Sequence, residues 1–354
     1  MALFNKNKKK EQKSVQNNSE AQNGDFFDRI FNDADNEKKE MVDYVMKHQP
    51  KSISENHKSF ISDFDNVLIE QSANIMKNEN SFQKTEKIVE SADVIGNLNG
   101  TVSCIYGLSS VIGCRESQQD AAAVSEPKIS SFTDKKWLAV LCDGMGGMEG
   151  GEQASALCVT KMLSCFESIG NMDIPQFYRN SISNIDVDVA TLKDANGNYL
   201  RAGSTLVSVV IDGSNLYWGS VGDSHIYIIR GKEMIRVNAE HNYLMELMAQ
   251  VRSGEITIEQ ANNDKNKEAL ISYMGIGNIS LMDVIEKPFK LLPNDFIILC
   301  SDGLYRSVTD GEIYNIVVSN CNNMQKAADM LTACALSKNK KYQDNTTVIT
   351  IRYI

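Results

Sequence analysis

Apolar positions divide the chain into two textures. In residues 1–97 they are sparse and set among Lys, Asn, Gln, Ser and Glu. Residues 1–24 have the composition of a disordered tail. From Phe26 to about Val94 apolar side chains recur at helical spacing, as in Phe27, Ile30 and Phe31 and again in Met41, Val42, Val45 and Met46. That spacing predicts a few amphipathic helices, able to dock on the rest of the chain, bind a partner or form a weak coiled coil.

Near Gly100 the pattern changes to short apolar runs broken by turn residues. Residues 102–108, 110–114, 121–124, 137–142, 205–211, 216–221, 226–229, 234–237, 281–285, 295–299 and 347–352 read as strands. Helical spacing recurs over 152–169, 176–192, 240–251, 310–319 and 324–337. The order does not alternate strand and helix, which disfavours a doubly wound sheet. Many short strands with early and late helices predict an α+β fold, helices covering a sheet sandwich. The expected division is residues 1–97 as a low-complexity, helical extension and 98–354 as one folded domain.

With 42% hydrophobic and 23% charged residues the chain can bury a sizeable core. Its formal net charge of −10 argues against nucleic acid as the main partner. The chain contains no apolar run of about 18 residues, so no membrane span is expected. The basic start, MALFNKNKKK, is followed by no apolar signal core and reads as a solvated tail more than a membrane patch. None of the eight Cys is spaced C-x-x-C and most sit in apolar runs, which points to reduced core thiols in a cytoplasmic protein. His48, His57, His225 and His241 show no zinc-ligand spacing. His225 opens a strand, and a packing or surface role is expected for it.

One stretch organises the second region: KKWLAVLCDGMGGMEGGEQAS, residues 135–155. An apolar run delivers Asp143, and a glycine-rich loop then leads into a helix. Glycine lets backbone approach a ligand closely, and a carboxylate beside exposed carbonyls suits a hard cation. Asp302 follows FIILCS and Asp344 precedes the last strand, so three acids share the ends of buried strands. Brought together they repel unless cations neutralise them. Oxygen ligands suit Mg²⁺ or Mn²⁺, and two such ions about 3.5–4 Å apart can activate water for in-line attack on phosphorus. Arg115 is the natural guanidinium for a phosphate.

Singly, each Asp-Gly pair is more often a turn than a ligand. The ordered set is specific: R-x-x-x-Q-D-A, D-G-M-G-G-x-x-x-G-E-x-A-S, G-S-T, V-G-D-S, C-S-D-G-L and D-N-T-T-V. Here the sequence resembles the PPM family of metal-dependent type 2C serine/threonine protein phosphatases, bacterial members above all, from about Val102 to Ile354. The resemblance implies an antiparallel β-sandwich with helices on both outer faces and a binuclear Mn²⁺ or Mg²⁺ centre at one end. It implies that Asp143 bridges the metals with the Gly144 carbonyl on one of them, and that Asp302 and Asp344 complete the acids. By the same resemblance Arg115 binds substrate phosphate, Asp120 orients the water, and Asp223 helps hold a third, weaker metal. Residues 240–275 match the family's mobile flap. The implied substrate is a phosphorylated protein, with the extension open to a regulatory partner.

Two positions depart from the family. Gln119 stands where a Glu often precedes the acid of the Arg motif, so weaker metal affinity is expected. Met145 replaces a His that many eukaryotic members carry after the Asp-Gly pair, and it cannot transfer a proton. The alternative reading is a pseudophosphatase that keeps the fold as a phosphoprotein-binding or signalling module.

Overall fold

The computed structural model describes residues 104–125, 136–146 and 148–354. The expected extension, its helices and the boundary at residue 98 lie outside the described residues. The strands are β1 (Cys104–Val111), β2 (Asp120–Ser125), β3 (Lys136–Gly146), β4 (Ala202–Ser204), β5 (Leu206–Asp212), β6 (Asn215–Val221), β7 (His225–Arg230), β8 (Glu233–Arg236), β9 (Asp283–Val284), β10 (Phe289–Lys290), β11 (Phe296–Cys300) and β12 (Thr346–Tyr353). The helices are α1 (Met148–Glu167), α2 (Ile174–Ala190), α3 (Tyr243–Ser253), α4 (Ile258–Asn263), α5 (Asp302–Tyr305), α6 (Asp310–Ser319) and α7 (Met324–Ser337).

Two antiparallel sheets stack face to face. One runs β1-β12-β11-β7-β8; the other runs β10-β6-β5-β3-β2, with β4 added to β3 and β9 to β6. Alternation along each strand builds three apolar layers. On β3, Ala139 and Leu141 join Val207, Val209, Ile226, Ile228, Ile297, Leu299 and Ile349 between the sheets. Leu138, Val140 and Cys142 point the other way, onto Met162, Phe177, Tyr178 and Ile182 of α1 and α2. On the opposite flank Ile298, Cys300 and Val348 pack under Ile313, Val317 and Leu331 of α6 and α7. The result is the expected sandwich with helices on both faces. No helix among the described residues is long and apolar enough to cross a membrane.

Local chemistry explains where the helices start. Thr309 caps α6 by accepting from the Glu312 N–H, and the Glu312 carboxylate accepts from Thr309 in return. Pro175 sits in the first turn of α2, where a missing N–H costs nothing.

Four details depart from the sequence expectation. Residues 102–108 and 110–114 are not two strands: β1 runs unbroken through Ser109 and Ser110, whose hydroxyls pair with Thr332 (2.9 Å) and Thr347 (2.7 Å). The helix expected from Glu240 begins at Tyr243, because residues 240–242 are tied elsewhere. Glu240 bonds His225, and the His241 N–H donates to the Gly222 carbonyl. Strand β9 keeps only two of the five residues expected over 281–285. Asp143 does not end its strand, since β3 continues to Gly146 and pairs there with β4.

Candidate active site

Asp143 follows Ala139 and Leu141 in the alternation of β3, so its side chain enters the space between the sheets at one end. The neighbouring strand places Asp120 directly opposite Asp143. Thr205 fastens this part of β3 from the other side. Its hydroxyl accepts from the Asp143 N–H (3.0 Å) and its own N–H donates to the Asp143 carbonyl (2.8 Å). The same hydroxyl meets Ser224 at 2.7 Å, joining the G-S-T and V-G-D-S motifs. Gly144 is required by space: a Cβ there would lie 2.2 Å from the Gly151 carbonyl oxygen and 2.6 Å from that of Gln119.

The opposite wall comes from loops. Gly113, at φ +65°, turns the chain so that Cys114 N–H donates to the Gln343 carbonyl (2.8 Å). That contact brings Arg115 against Asp344, Nη2 to Oδ2 2.6 Å. Asn345 clamps the whole 112–119 loop. Its Nδ2 donates to the carbonyls of Ile112 (2.8 Å) and Ser117 (3.1 Å), and its Oδ1 accepts from Gln119 N–H (2.8 Å). Gln343 reaches the third acid's loop, donating to the Gly303 carbonyl at 2.8 Å. Asp302 itself opens α5. Ser301, just before it, donates to Asp120 Oδ2 at 2.8 Å and so crosses between the sheets.

Charge records how close the acids come. Burial holds the Asp143 carboxyl well above the usual carboxylate range, and Asp120, Asp302, Asp344 and Asp223 add to it in that order. Asp302 is pushed up to about 8 by burial, then by Asp223 and Asp344, against the pull of Arg306. Asp120 rises to about 6 through burial, with the hydrogen bonds from Ser301 and Thr347 opposing. Asp223 is raised by burial, with Arg306 pulling it down.

Two carboxylate oxygens, Asp302 Oδ1 and Asp120 Oδ1, are buried without a hydrogen-bond partner. Such an acceptor is costly unless a cation meets it. With Asp oxygens and the Gly144 carbonyl nearby, the donor set fits a hard divalent ion. Among the described residues no three acid, His or Cys side chains close into a finished ligand cage. The guanidinium groups of Arg115 and Arg306 stand against the acids instead.

Every residue singled out from the sequence, Arg115, Asp120, Asp143, Gly144, Asp223, Asp302 and Asp344, lies at this end of the sandwich. His225 is buried beneath it, its Nδ1 paired with the Tyr227 hydroxyl (2.8 Å) and its Nε2 with Glu240 (2.7 Å). Met145 lies in the β3–β4 ladder opposite Gly203. Gln119 contributes through its backbone, since its carbonyl accepts from Gly144 N–H (3.0 Å) while its N–H is held by Asn345. The sequence reading assigned no role to Thr205, Ser301, Gln343, Asn345 or Arg306. Thr205, Ser301 and Asn345 stand inside quoted motifs, a usable signal; Gln343 and Arg306 carried none.

A four-layer sandwich with an acid-lined, guanidinium-edged mouth defines a class built for hard cations and phosphate. The family model described as protein phosphatase 2C matches residues 110–339, and the chain belongs to that family. It is similar to the serine/threonine phosphatase stp of Listeria innocua serovar 6a, 27% identical over 243 residues that span 67% of this chain and 90% of that protein. Among solved structures it is similar to the S. agalactiae serine/threonine phosphatase, with TM-score 0.59 and 26% identity over 71% of this chain and 99% of that one. The fold is shared as well with the catalytic domain of the serine/threonine phosphatase PstP in complex with 2 manganese ions, TM-score 0.58 and 23% identity over 72% of this chain and 100% of that one.

Proposed function

We propose that this chain hydrolyses phosphoserine and phosphothreonine in proteins, using divalent ions held by Asp143, the Gly144 carbonyl, Asp302 and Asp344. The observation that carries this reading is the gathering of buried, mutually repelling carboxylates beside Arg115, two of them with unpartnered oxygens. When bound, a pair of Mn²⁺ or Mg²⁺ ions supplies the Lewis acidity that makes water a nucleophile at neutral pH. Arg115 moves its fork from Asp344 to the substrate phosphate, whose geometry it matches. Asp120, fixed by Ser301, orients the attacking water and can take its proton. Met145 offers no proton to the leaving oxygen. A loose transition state makes that less costly, and solvent supplies the proton.

Purified protein given Mn²⁺ should hydrolyse a phosphothreonine peptide and lose that activity with a chelator or with Asp302→Asn. Binding of the phosphopeptide without turnover would favour the pseudophosphatase reading, against which the full set of acids and Arg115 weighs. Cytoplasmic residence fits the free cysteines. Residues 1–97 serve a regulatory partner in this reading, and 98–354 fold and act without them.

A further inference from the structure

Arg306 sits between two of the acids. Its Nε lies 3.0 Å from Asp302 Oδ2 and its Nη2 3.5 Å from Asp223 Oδ2. A third arm, Nη1, reaches Glu268 Oε2 at 2.9 Å, within residues 240–275. The backbone preorganises the first contact. Arg306 N–H donates to the Asp302 carbonyl (3.0 Å), so the side chain folds back over the turn it closes. Tyr305 supports the second contact: its hydroxyl donates to Asp223 Oδ2 (3.3 Å) and its ring stacks on His225, centroids 3.7 Å apart and planes 14° apart. Both acids are therefore compensated by a group of this chain.

We propose that Arg306 is a tethered cation that takes, between Asp302 and Asp223, the place a third divalent ion would fill, so that this chain carries two divalent ions and not three. The inference rests on the phosphatase reading above. Two carboxylates with Oδ atoms this close to one guanidinium cannot also surround a small ion without expelling it. A guanidinium keeps its charge at every working pH, and its planar fork spans two acceptors where an ammonium would meet one. The Asp302–Asp223 pair is thus met by a positive charge that the chain itself supplies. Asp302 Oδ1, which Arg306 leaves unpartnered, stays available to a divalent ion. Through Glu268 the same group ties the 240–275 segment to the acids.

Manganese uptake by the full-length chain tests this, counted by equilibrium dialysis and by calorimetric titration. The wild type should take up about two ions per chain, as a binuclear centre requires. Arg306→Ala should raise the count by half, to about three, with the added ion the weakest held. Adding Asp223→Asn should bring the count back to about two. Arg306→Gln, which keeps stem and polar head without the charge, should behave as Arg306→Ala and serves if the alanine variant misfolds. A wild type that already holds three, or neutral variants that fold and hold only two, overturns the role of Arg306. A wild type that takes up no manganese overturns the phosphatase reading itself, a result distinct from either.

Discussion

The two walls of the mouth are held by different means. Asp120 and Asp143 stand opposite one another in a strand ladder, so their Cα positions are set by the sheet. Asp344 and Arg115 sit on loops whose course depends on the side chains of Asn345 and Gln343. A ladder tolerates the loss of any one side chain because neighbouring backbone bonds keep it in register. A loop held by one amide does not. Replacing an acid on the ladder wall should therefore abolish chemistry and leave the fold standing, whereas replacing a clamp on the loop wall should loosen structure and activity together.

The largest effect falls on the ladder wall. Asp143→Asn should reduce turnover of a phosphopeptide to background. In chelator-treated protein its melting temperature should be higher than the wild type's, because four other acids raise the Asp143 carboxyl and the amide feels none of them. Each kcal/mol of relieved repulsion corresponds to roughly 2–4 °C in a domain this size. A variant that melts lower without metal would mean the ladder depends on that carboxylate after all.

On the loop wall Arg115→Ala should lower kcat/KM by about 10–100-fold, the worth of charge-assisted hydrogen bonds of about 1.5–3 kcal/mol. The loss should appear mainly in KM, since Arg115 grips phosphate in ground and transition states alike. Asn345→Ala removes three hydrogen bonds from a buried amide. It should cost on the order of 2–3 kcal/mol and lower the melting temperature by roughly 5–10 °C. Thr205→Val, on the ladder wall, should cost about half as much, because the Asp143 carbonyl keeps the Thr205 N–H. Equal costs from urea melts of the two variants would erase the distinction between the walls.

The same distinction decides what was legible from sequence. The strands that carry Asp143 and lead to Asp302 announce themselves by unbroken apolar runs, and the period of two tells which side chains enter the middle layer. The acids were legible because they fall inside an ordered set of motifs, which a single Asp-Gly turn would not produce. Clamps are different. Asn345 and Gln343 work through partners more than 200 and about 40 positions away, a relation no local pattern encodes. Nothing near Arg306 in the sequence marks it, and only the folded chain sets it against Asp223, 83 positions earlier. The split of β1 into two expected strands came at Ser109; Thr332 and Thr347, far along the chain, satisfy the hydroxyls of Ser109 and Ser110 within one strand.

A pH-dependent effect concerns the base of the 240–275 segment, where His241 meets the turn that follows β6. His241 is buried, and its Nδ1 accepts from the Gly222 N–H at 3.1 Å, next to Asp223. Burial holds its pKa down at about 4, against 6.5 for an ordinary imidazole. Between those values the unfolded chain takes a proton that the folded one refuses. Its contribution to stability is therefore intact above about 6.5, falls as the pH drops, and levels off below about 4. The whole loss is on the order of 3 kcal/mol, of which about 2 kcal/mol should be gone at about pH 5. The mouth acids act in the opposite sense without metal, since raised carboxyl pKa values favour the fold as pH falls, so the wild-type profile alone is a sum. His241→Asn keeps an acceptor for Gly222 and does not titrate. The difference between the two proteins in urea melts at pH 7 and pH 5 isolates the imidazole. Wild type should lose about 2 kcal/mol more than the variant over that interval, and parallel profiles would show that the Gly222 turn does not depend on a neutral His241.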